Sequence, residues 1–414
     1  MATRLPPTAE AGADLTRVRR LEVPDPNDPE ADGTPLLCFE AEAGGTCVVS
    51  AATEAAEAMA RWIDDGTAVP AREAGATLSV PVLDPAVPLP LQPVRVPKAW
   101  GEEIWLTGIE ARGVVSVGAA DAAVPLPWAL AALPKAFGGV AVPILVKVLA
   151  PAAAADRGDL YFEVHREKEE VYVVTDVDED AWPDGWARVR YGFRPESLKA
   201  LGENGFRMAF TTAAHAHARA QRSLGRQPLP EGEVPPGHPL TNVRRSRARL
   251  ESMLNIRGLE IGDVVRVPPG LPHGLMHGVR VVEFQTPEYE RRVLYAAQPL
   301  APADSSQLAA ILRDVRFDVP DDHQPKTRSP TEGVRTSRIA RMRDFDVHRL
   351  ELDAGAATVL PRAAYGVLVG AGGAPSCGGV TLRREQAALL SGTALLRRLE
   401  AGDEPAAALL ALPN

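Results

Sequence analysis

Short stretches of alternating apolar and polar residues mark the N-terminal part of the chain and predict strands. Residues 15–50 contain LTRVRRLEV and TPLLCFEAE, which alternate in places as half-buried strands do. Residues 51–65 change to a helical period, which groups four apolar residues near one side of a helix: Ala55, Met59, Trp62 and Ile63. Residues 81–97 repeat proline every few positions and predict an extended linker.

Beyond residue 98 the pattern predicts strands on both sides of a helical segment. Residues 98–185 hold five strand-like segments, namely EEIWLTGI, GVVSV, AVPILVKVLA, DLYFEVH and EEVYVVTDV. One short helix is predicted among them, in PLPWALAALPKAFGG. Residues 195–256 have a helical period, interrupted by the Pro- and Gly-rich QPLPEGEVPPGHP. Strands return over 257–297 and 345–412, and SSQLAAILRDV between them predicts a helix. The chain is therefore predicted to be mainly β with a helical insertion.

Composition limits the classes of function. A chain of 414 residues is too long for one ordinary core and predicts two or three domains. A net charge of −9 and a pI near 5.5 argue against a nucleic-acid partner, because such proteins usually carry a basic face. The three cysteines form no CxxC pair and predict no disulfide framework.

Apolar segments give no membrane signal. The first residues lack the apolar core of a secretory signal, and the longest apolar stretch, residues 140–155, is interrupted by Lys147. We therefore expect a cytoplasmic protein with no membrane partner. The oligomeric state is not determined by the sequence.

One segment combines acidic residues and a histidine at strand spacing. In Glu163-Val-His165-Arg-Glu-Lys168-Glu-Glu170, positions 163 and 165 point to the same face of a strand, because side chains alternate with a period of two. Glu170 follows five residues after His165 and can return on the next strand after a tight turn. This arrangement can chelate one metal ion.

A second segment can bring another histidine to the same place. It runs from Gly262 through Pro268 and Gly270 to His273, with five residues between Gly262 and Pro268. Proline and glycine favour a turn, and this turn would deliver His273 from a separate strand.

These two segments resemble the two sequence motifs of the cupin superfamily. The second segment matches the second cupin motif at each signature position as far as His273, and the first resembles the first motif with Glu163 in place of its leading histidine. In cupins a small β-barrel of the jelly-roll type gathers such ligands around one metal. The resemblance therefore implies a metal-binding cupin.

Neighbouring segments resemble type I phosphomannose isomerases over about residues 95–300. Lys98-Ala-Trp100-Gly is similar to the family's early Lys-Pro-Trp-Gly segment, and the strand around Lys147 (ILVKVL) is similar to its Leu-Leu-Val-Lys strand. The family's Gln-Val-His, Lys-x-Glu and Pro-x-Gly-x-x-His elements have counterparts at 163–165, 168–170 and 268–273. Glu283-Phe-Gln285 matches its next strand, and Glu288 with Arg292 is the nearest match to its Asp-and-Arg segment.

The resemblance implies roles for ten residues. The metal ligands would be Glu163, His165, Glu170 and His273. Catalytic groups would be Arg292, Lys168 and Glu283, and substrate-binding groups would be Trp100, Lys147 and Glu288. The metal would be one divalent ion, with zinc as the leading candidate and iron or manganese as alternatives. Arg291 and Arg292 can also be read as an exposed pair on a strand.

Four features depart from the family's pattern, and two of them, Arg166 after His165 in place of proline and Leu275 two residues after His273, are single substitutions. Glu163 stands where the family has glutamine, which adds a negative charge to the metal site. The loop between His165 and Lys168 is much shorter than the family's, since it holds only Arg166 and Glu167.

The resemblance implies a domain order and a function. Residues 1–94 would be an N-terminal extension of unclear role, residues 95–300 a metal-binding cupin domain with a helical insertion at about 195–256, and residues 301–414 a connecting helix with a metal-free cupin-like domain. The expected function is a metal-dependent aldose–ketose isomerase for mannose 6-phosphate and fructose 6-phosphate or a related sugar, with a small sugar phosphate as its partner. The alternatives are a cupin metalloenzyme of another class, such as an oxygenase, and a non-catalytic sugar-binding cupin.

Overall fold

The structure of the chain is a computed structural model, and it divides into two compact units. It describes residues 13–24, 33–41, 45–119, 121–155, 157–225, 234, 237–298, 305–320, 326–327 and 333–414. Unit 1 comprises Met1–Val96, Ile104–Val148 and Gln324–Asn414. Unit 2 comprises Pro97–Glu103 and Leu149–His323.

Strands are the most frequent regular element among the described residues. The helices are α1 Glu54–Asp64, α2 Ala71–Leu78, α3 Leu126–Ala132, α4 Pro195–Leu224, α5 Pro239–Glu251 and α6 Ser305–Asp314, with a 3-10 turn at Ala394–Leu396. The strands up to the long helix are β1 Asp14–Val23, β2 Thr34–Ala41, β3 Cys47–Ala51, β4 Val69–Pro70, β5 Val82–Leu83, β6 Leu89–Gln92, β7 Val94–Lys98, β8 Gly101–Trp105, β9 Ser116–Ala119, β10 Ala122–Pro125, β11 Leu145–Pro151, β12 Phe162–Val164, β13 Glu170–Val177 and β14 Ala187–Phe193. The later strands are β15 Leu254–Leu259, β16 Val264–Val267, β17 His273–Leu275, β18 Val279–Gln285, β19 Arg292–Tyr295, β20 Lys326–Thr327, β21 Val334–Arg341, β22 Phe345–Leu352, β23 Ala357–Val359, β24 Tyr365–Gly372, β25 Ser376–Cys377, β26 Val380–Thr381, β27 Ala387–Ser391, β28 Arg398–Glu400 and β29 Ala406–Pro413.

The N-terminal part of unit 1 is a small sheet with helices packed on it. Its strand order is β4-β1-β2-β3-β5, and α1 and α2 contribute to its apolar core. The predicted helix is present, but two of its four inward residues were assigned wrongly, because Ala55 and Trp62 are exposed. The buried face of α1 instead follows the i, i+3, i+4, i+7 spacing of Ala56, Met59, Ala60 and Ile63.

The predicted linker at residues 81–97 is wrong, because this segment forms strands. β6 lies between β27 and β9, with Leu89 and Pro90 paired to β27 and Leu91 and Gln92 paired to β9. Proline cannot donate to a sheet ladder, and each half of β6 uses a different neighbour, so Pro90 is tolerated inside the sheet. The many prolines correctly predict an extended backbone. They do not show that this backbone pairs with strands of a sheet and is not a free linker.

The C-terminal part of unit 1 is built from two sheets. The larger has the order β10-β9-β6-β27-β24-β29-β22-β21-β20, and the smaller has the order β23-β28-β25-β26. Buried side chains from both sheets, including Leu350, Leu368, Leu399 and Leu410, form one apolar cluster. Packing of this kind gives a closed hydrophobic interior.

Unit 2 contains a five-stranded sheet of order β15-β14-β17-β12-β19 and the three neighbouring strands β16-β13-β18. Tyr172 of β13, Tyr191 of β14, Val265 of β16 and Leu275 of β17 share one apolar cluster, so the two sheets face each other across it.

The predicted helical insertion is present and covers the other face of the five-stranded sheet. Phe206 and Phe210 of α4 pack in one cluster with Phe162 of β12, Phe193 of β14 and Leu308 of α6. Helix α4 is broken at Gly202, whose φ of 64° and ψ of 164° are not helical. Most of the segment between α4 and α5 lies outside the described residues.

A buried ion cluster, here called the Asp159 network, fastens α5 to the sheet. It consists of Asp159, Arg190, Arg247, Glu251 and His277. Asp159 Oδ2 accepts from both guanidinium groups, and Asp159 Oδ1 accepts from the backbone N–H and ring Nδ1 of His277 at 2.8 Å each. Glu251 Oε1 accepts from Arg190 Nη2 at 2.5 Å and from Arg247 Nε at 3.0 Å. The two carboxylates are therefore matched by two guanidinium groups.

The mainly β character expected from the sequence is confirmed. No helix among the described residues is long and apolar enough to cross a membrane. The residues at the very start of the chain, on which the expectation about a secretory signal rests, lie outside the described residues. The three domain ranges stay a prediction; the two units group residues from both ends of the chain together.

Candidate metal centre

Strand β12 directs one carboxylate into the interior of unit 2. Phe162 and Val164 pack against the helices, and Glu163 between them points to the opposite face. Glu163 pairs with His273 on the antiparallel strand β17. Directly opposed side chains of such a pair lie about 5 Å apart at Cβ, so this register brings the two residues together.

The predicted tight turn joins His165 to Glu170. His165 directly follows β12, and Glu170 is the first residue of β13. Glu170 pairs with Val267 on one side and with Gln285 on the other, which places it on a central strand. Both residues are buried.

The turn before β17 places His273 as the sequence predicts. Gly270 has a φ of 77°, a left-handed conformation that glycine adopts without strain. The Gly270 N–H donates to the His165 carbonyl at 2.7 Å, so the two ligand-bearing segments are hydrogen-bonded to each other. His273 begins β17 and is buried.

Four side chains converge at this point, and we call them the metal centre: Glu163, His165, Glu170 and His273. Ligand atoms of Glu163, His165 and His273 all lie within 4.8 Å of one another. Glu170 Oε1 is 3.3 Å from His165 Nε2, and Glu170 Oε2 is 3.1 Å from His273 Nε2. Two imidazoles and two carboxylates at these distances are a ligand set that suits a divalent ion.

The hydrogen bonds of the centre fit a cation. His273 Nδ1 lies 2.9 Å from the Leu271 carbonyl and can donate to it, which turns Nε2 towards the other ligands. Both ring nitrogens of His165 and Oε2 of Glu163 are buried without a hydrogen-bond partner among the described residues. Buried polar atoms are rarely left in this state, and a cation bound between Glu163 and one ring nitrogen of His165 would satisfy two of them.

The ionisable groups of the centre shift one another's pKa values. Burial alone would raise the pKa of Glu170, but the Lys168 ammonium and the His165 ring outweigh it and hold that pKa well below its usual range. Burial lowers the pKa of His273, and the Glu170 carboxylate reverses this and raises it. The centre therefore favours a carboxylate at 170 and positive charge around it.

Two predicted catalytic groups lie beside the ligands. Lys168 Nζ forms an ion pair with Glu170 Oε1 and is buried. Glu283 is buried on β18 directly opposite Tyr172, two residues along the strand from Glu170. The sequence did not single out Tyr172, whose hydroxyl donates to Glu170 Oε2 at 2.5 Å. Its position two residues after Glu170 on a strand was the available signal.

The two neighbouring arginines have different environments. Arg292 Nη1 donates to Asp314 at the end of α6 at 2.8 Å. Arg291 Nε lies 3.9 Å from Glu163 Oε2, and its guanidinium lies over the Tyr161 ring. Arg291 is therefore next to a ligand of the metal centre, and Arg292 is held by a carboxylate of α6.

The three predicted substrate-binding residues have different surroundings. Trp100 is buried in the apolar cluster of unit 2, and Glu288 of unit 2 is exposed. Lys147 belongs to unit 1, where its ammonium lies 4.8 Å from the centre of the Trp105 ring. A binding role for each of them stays a prediction.

Comparison with known proteins gives a likeness of fold. No protein-family profile matches the sequence, and no curated protein matches it significantly. Mannose 6-phosphate isomerase from Bacillus subtilis superposes with a TM-score of 0.54 at 15% identity, over 78% of this chain and 99% of the other. A variant of phosphomannose isomerase from Salmonella typhimurium superposes with a TM-score of 0.57 at 15% identity, over 79% of this chain and 100% of the other.

These neighbours confirm the fold that the two motifs predict. The chain has the cupin architecture of the type I phosphomannose isomerase structures. At about 15% identity the likeness concerns the fold. Activity has to be argued from the site.

Proposed function

We propose that this protein is a metal-dependent aldose–ketose isomerase that acts on a sugar phosphate, with mannose 6-phosphate and fructose 6-phosphate as the first pair to test. The convergence of Glu163, His165, Glu170 and His273 inside a fold shared with phosphomannose isomerases carries the proposal. Fold alone hosts many functions, so the ligand set matters more than the likeness.

The donors fit one divalent ion. Glu163, His165 and His273 place ligand atoms within 4.8 Å of one another, and the two oxygens of Glu170 lie 3.3 and 3.1 Å from Nε2 of the two histidines. When bound there, the ion supplies Lewis acidity towards the oxygens of the substrate. Zinc is the leading candidate, and iron or manganese suits a carboxylate-rich set as well.

The chain's own residues supply the proton and the positive charge. Isomerisation moves a proton between C1 and C2 of the sugar, and Glu283 is a carboxylate next to the centre that can carry it. Burial lowers the pKa of Lys168, but Glu170 and Glu283 outweigh this and raise it. Lys168 is therefore an ammonium that can stabilise negative charge developing on a sugar oxygen.

Arg291 is the better placed arginine for an anionic part of the substrate. It lies beside Glu163 and is partly exposed, so a phosphate can approach it and be bound through two parallel N–H groups. Arg292, which the family resemblance suggests as a catalytic group, forms an ion pair with Asp314. We assign the anion-binding role to Arg291 and leave Arg292 as a competing candidate for mutagenesis.

A second candidate is a cupin metalloenzyme whose substrate carries no phosphate. Lys168 is paired with Glu170, and Arg291 lies near Glu163, so a phosphate would compete with carboxylates for both cations. A neutral substrate would not face this competition. This candidate includes cupin chemistry of the oxygenase kind.

The test is metal analysis of purified protein together with turnover of mannose 6-phosphate to fructose 6-phosphate, with mannose assayed in parallel. We expect one equivalent of metal, turnover of the phosphorylated sugar, and loss of both in His273→Ala. His348→Ala is the matched control, since it removes an imidazole from β22 in unit 1. Metal without turnover of either sugar would reject the isomerase and favour the second candidate.

A further inference from the structure

The turn that connects two metal ligands is held from outside by one carboxylate. Only four residues separate His165 from Glu170, and the N–H groups of the first two, Arg166 and Glu167, bond to a side chain of another segment. Both residues are exposed, so an acceptor fixed in the protein, and not water, has to hold these N–H groups if the turn is to keep one path. Glu290, which lies between β18 and β19, supplies this acceptor.

Glu290 binds the turn through both of its oxygens. Oε1 and Oε2 accept from the Arg166 N–H at 2.8 and 2.7 Å, and Oε2 also accepts from the Glu167 N–H at 2.9 Å. Burial raises the pKa of Glu290, and the Glu167 and Arg166 amides outweigh this and lower it. A charged acceptor makes these bonds about twice as strong as neutral ones.

The rest of the turn is hydrogen-bonded to segments that also carry or flank the ligands. The Glu169 N–H donates to Thr286 Oγ1 at 3.3 Å, and the Thr286 N–H donates to the Glu169 carbonyl at 3.0 Å. The His165 carbonyl accepts from Gly270, as described above. With these ends held, residues 166 and 167 are fixed by Glu290 through their backbone and by Asp314 through the Arg166 guanidinium, which bonds to Asp314 Oδ2 at 2.6 and 3.1 Å.

We propose that Glu290 is a positioning residue of the metal centre, which sets the separation and orientation of His165 and Glu170 through the backbone of the turn. The proposal rests on the metal centre of the proposed function and not on its substrate. A longer loop would be held by contacts among its own residues. This short turn is held instead by the carboxylate of Glu290, which comes from another segment. Ligands need to be held within about 0.5 Å of the productive geometry, and Glu290 helps this four-residue connection to hold them so closely.

A positioning role and a purely structural role make different predictions. If Glu290 only stabilises the turn, its removal lowers the stability of the metal-free protein and leaves the metal site unchanged. If it positions the ligands, the affinity for metal and the ligand geometry change. Supporting groups of this kind are typically worth about 10- to 100-fold in metal affinity.

The experiment measures Co²⁺ affinity, the visible absorption of the Co²⁺-loaded protein and urea unfolding of the metal-free protein for Glu290→Gln and Glu290→Ala. Glu196→Gln is the control, because it neutralises an exposed carboxylate at the start of α4. We expect Glu290→Ala to weaken Co²⁺ binding by about 10- to 100-fold and to alter the spectrum. Glu290→Gln keeps one carbonyl oxygen as acceptor, so its loss should be intermediate.

The outcomes separate this inference from the proposed function. Wild-type affinity and spectrum in both variants would overturn the positioning role, even if the metal-free protein became less stable. If Glu290→Ala does not fold, the result for Glu290→Gln decides alone. A wild-type protein that binds Co²⁺ but turns over no sugar would reject the isomerase and still allow this test, whereas a protein that binds no metal would overturn both.

Discussion

Unit 2 contains two clusters of buried charge, and they differ in how the charges are matched. In the Asp159 network two carboxylates face two guanidinium groups and an imidazole, and both oxygens of Asp159 have partners. In the metal centre Glu163 and Glu170 lie against the rings of His165 and His273. The Lys168 ammonium is paired to Glu170, and Arg291 lies 3.9 Å from Glu163. Buried atoms of Glu163 and His165 also lack hydrogen bonds there.

The difference shows which buried cluster needs a ligand. A buried charge is costly unless it is paired, so a cluster that pairs its own charges is complete and serves to hold elements together. A cluster that leaves buried ligand atoms without hydrogen bonds gains partners for them when a cation binds. The same residue types thus serve structure in one place and are suited to metal binding in the other.

The largest expected effect is the loss of activity in His273→Ala. Removing this ligand should abolish stoichiometric metal binding and lower turnover by at least about 1000-fold, because a Lewis acid supplies several kcal/mol of transition-state stabilisation. Metal content and kcat/KM of the variant check this. Retention of one equivalent of tightly bound metal would show that the centre is not where the metal binds.

The next effect is a loss of stability in Asp159→Asn. Two buried guanidinium groups would lose a charged partner, so we expect the free energy of unfolding to fall by about 3 to 5 kcal/mol. Urea unfolding of the metal-free protein measures this, and metal stoichiometry below the transition should match the wild type. An unchanged unfolding midpoint would mean that the network is not a source of stability.

The pH dependence of stability should follow the same network. Burial alone would raise the pKa of Asp159, but Arg190, His277 and Arg247 outweigh it and hold the pKa below its usual range. A depressed carboxyl pKa stabilises the fold above its unfolded value of about 3.9, and this stability is lost as the pH falls below it.

Unfolding midpoints between about pH 5 and pH 3 test this expectation. The wild type should lose up to about 1.4 kcal/mol per pH unit more than Asp159→Asn in that range, which corresponds to one proton. Parallel curves for the two proteins would exclude Asp159 as the titrating group.

The smallest expected effect on stability is that of Glu163→Gln. It removes one carboxylate, as Asp159→Asn does, but Glu163 is half-buried and its nearest guanidinium, that of Arg291, lies 3.9 Å away, so the metal-free protein should change by no more than about 1 kcal/mol. Metal affinity should fall, because one anionic ligand becomes neutral. A loss of 3 kcal/mol in the metal-free protein would make the two clusters alike and remove the contrast between them.

Local patterns in the sequence determined the fold class and the ligand positions. The period of two put Glu163 and His165 on one face, and the Pro268–Gly270 turn predicted the delivery of His273, because both are properties of a few consecutive residues. The helical period of residues 195–256 likewise predicted the insertion. Such features depend on backbone geometry within one segment.

Tertiary structure decided what depends on pairing between distant segments. The proline-rich segment entered a sheet because β27, nearly three hundred residues later, pairs with it. A register shift between β12 and β19 brought Arg291 and not Arg292 beside Glu163. Glu290 reached the turn at Arg166 across more than a hundred residues. Hydrogen bonds and charges between such segments depend on their register in the folded chain, which no local period encodes.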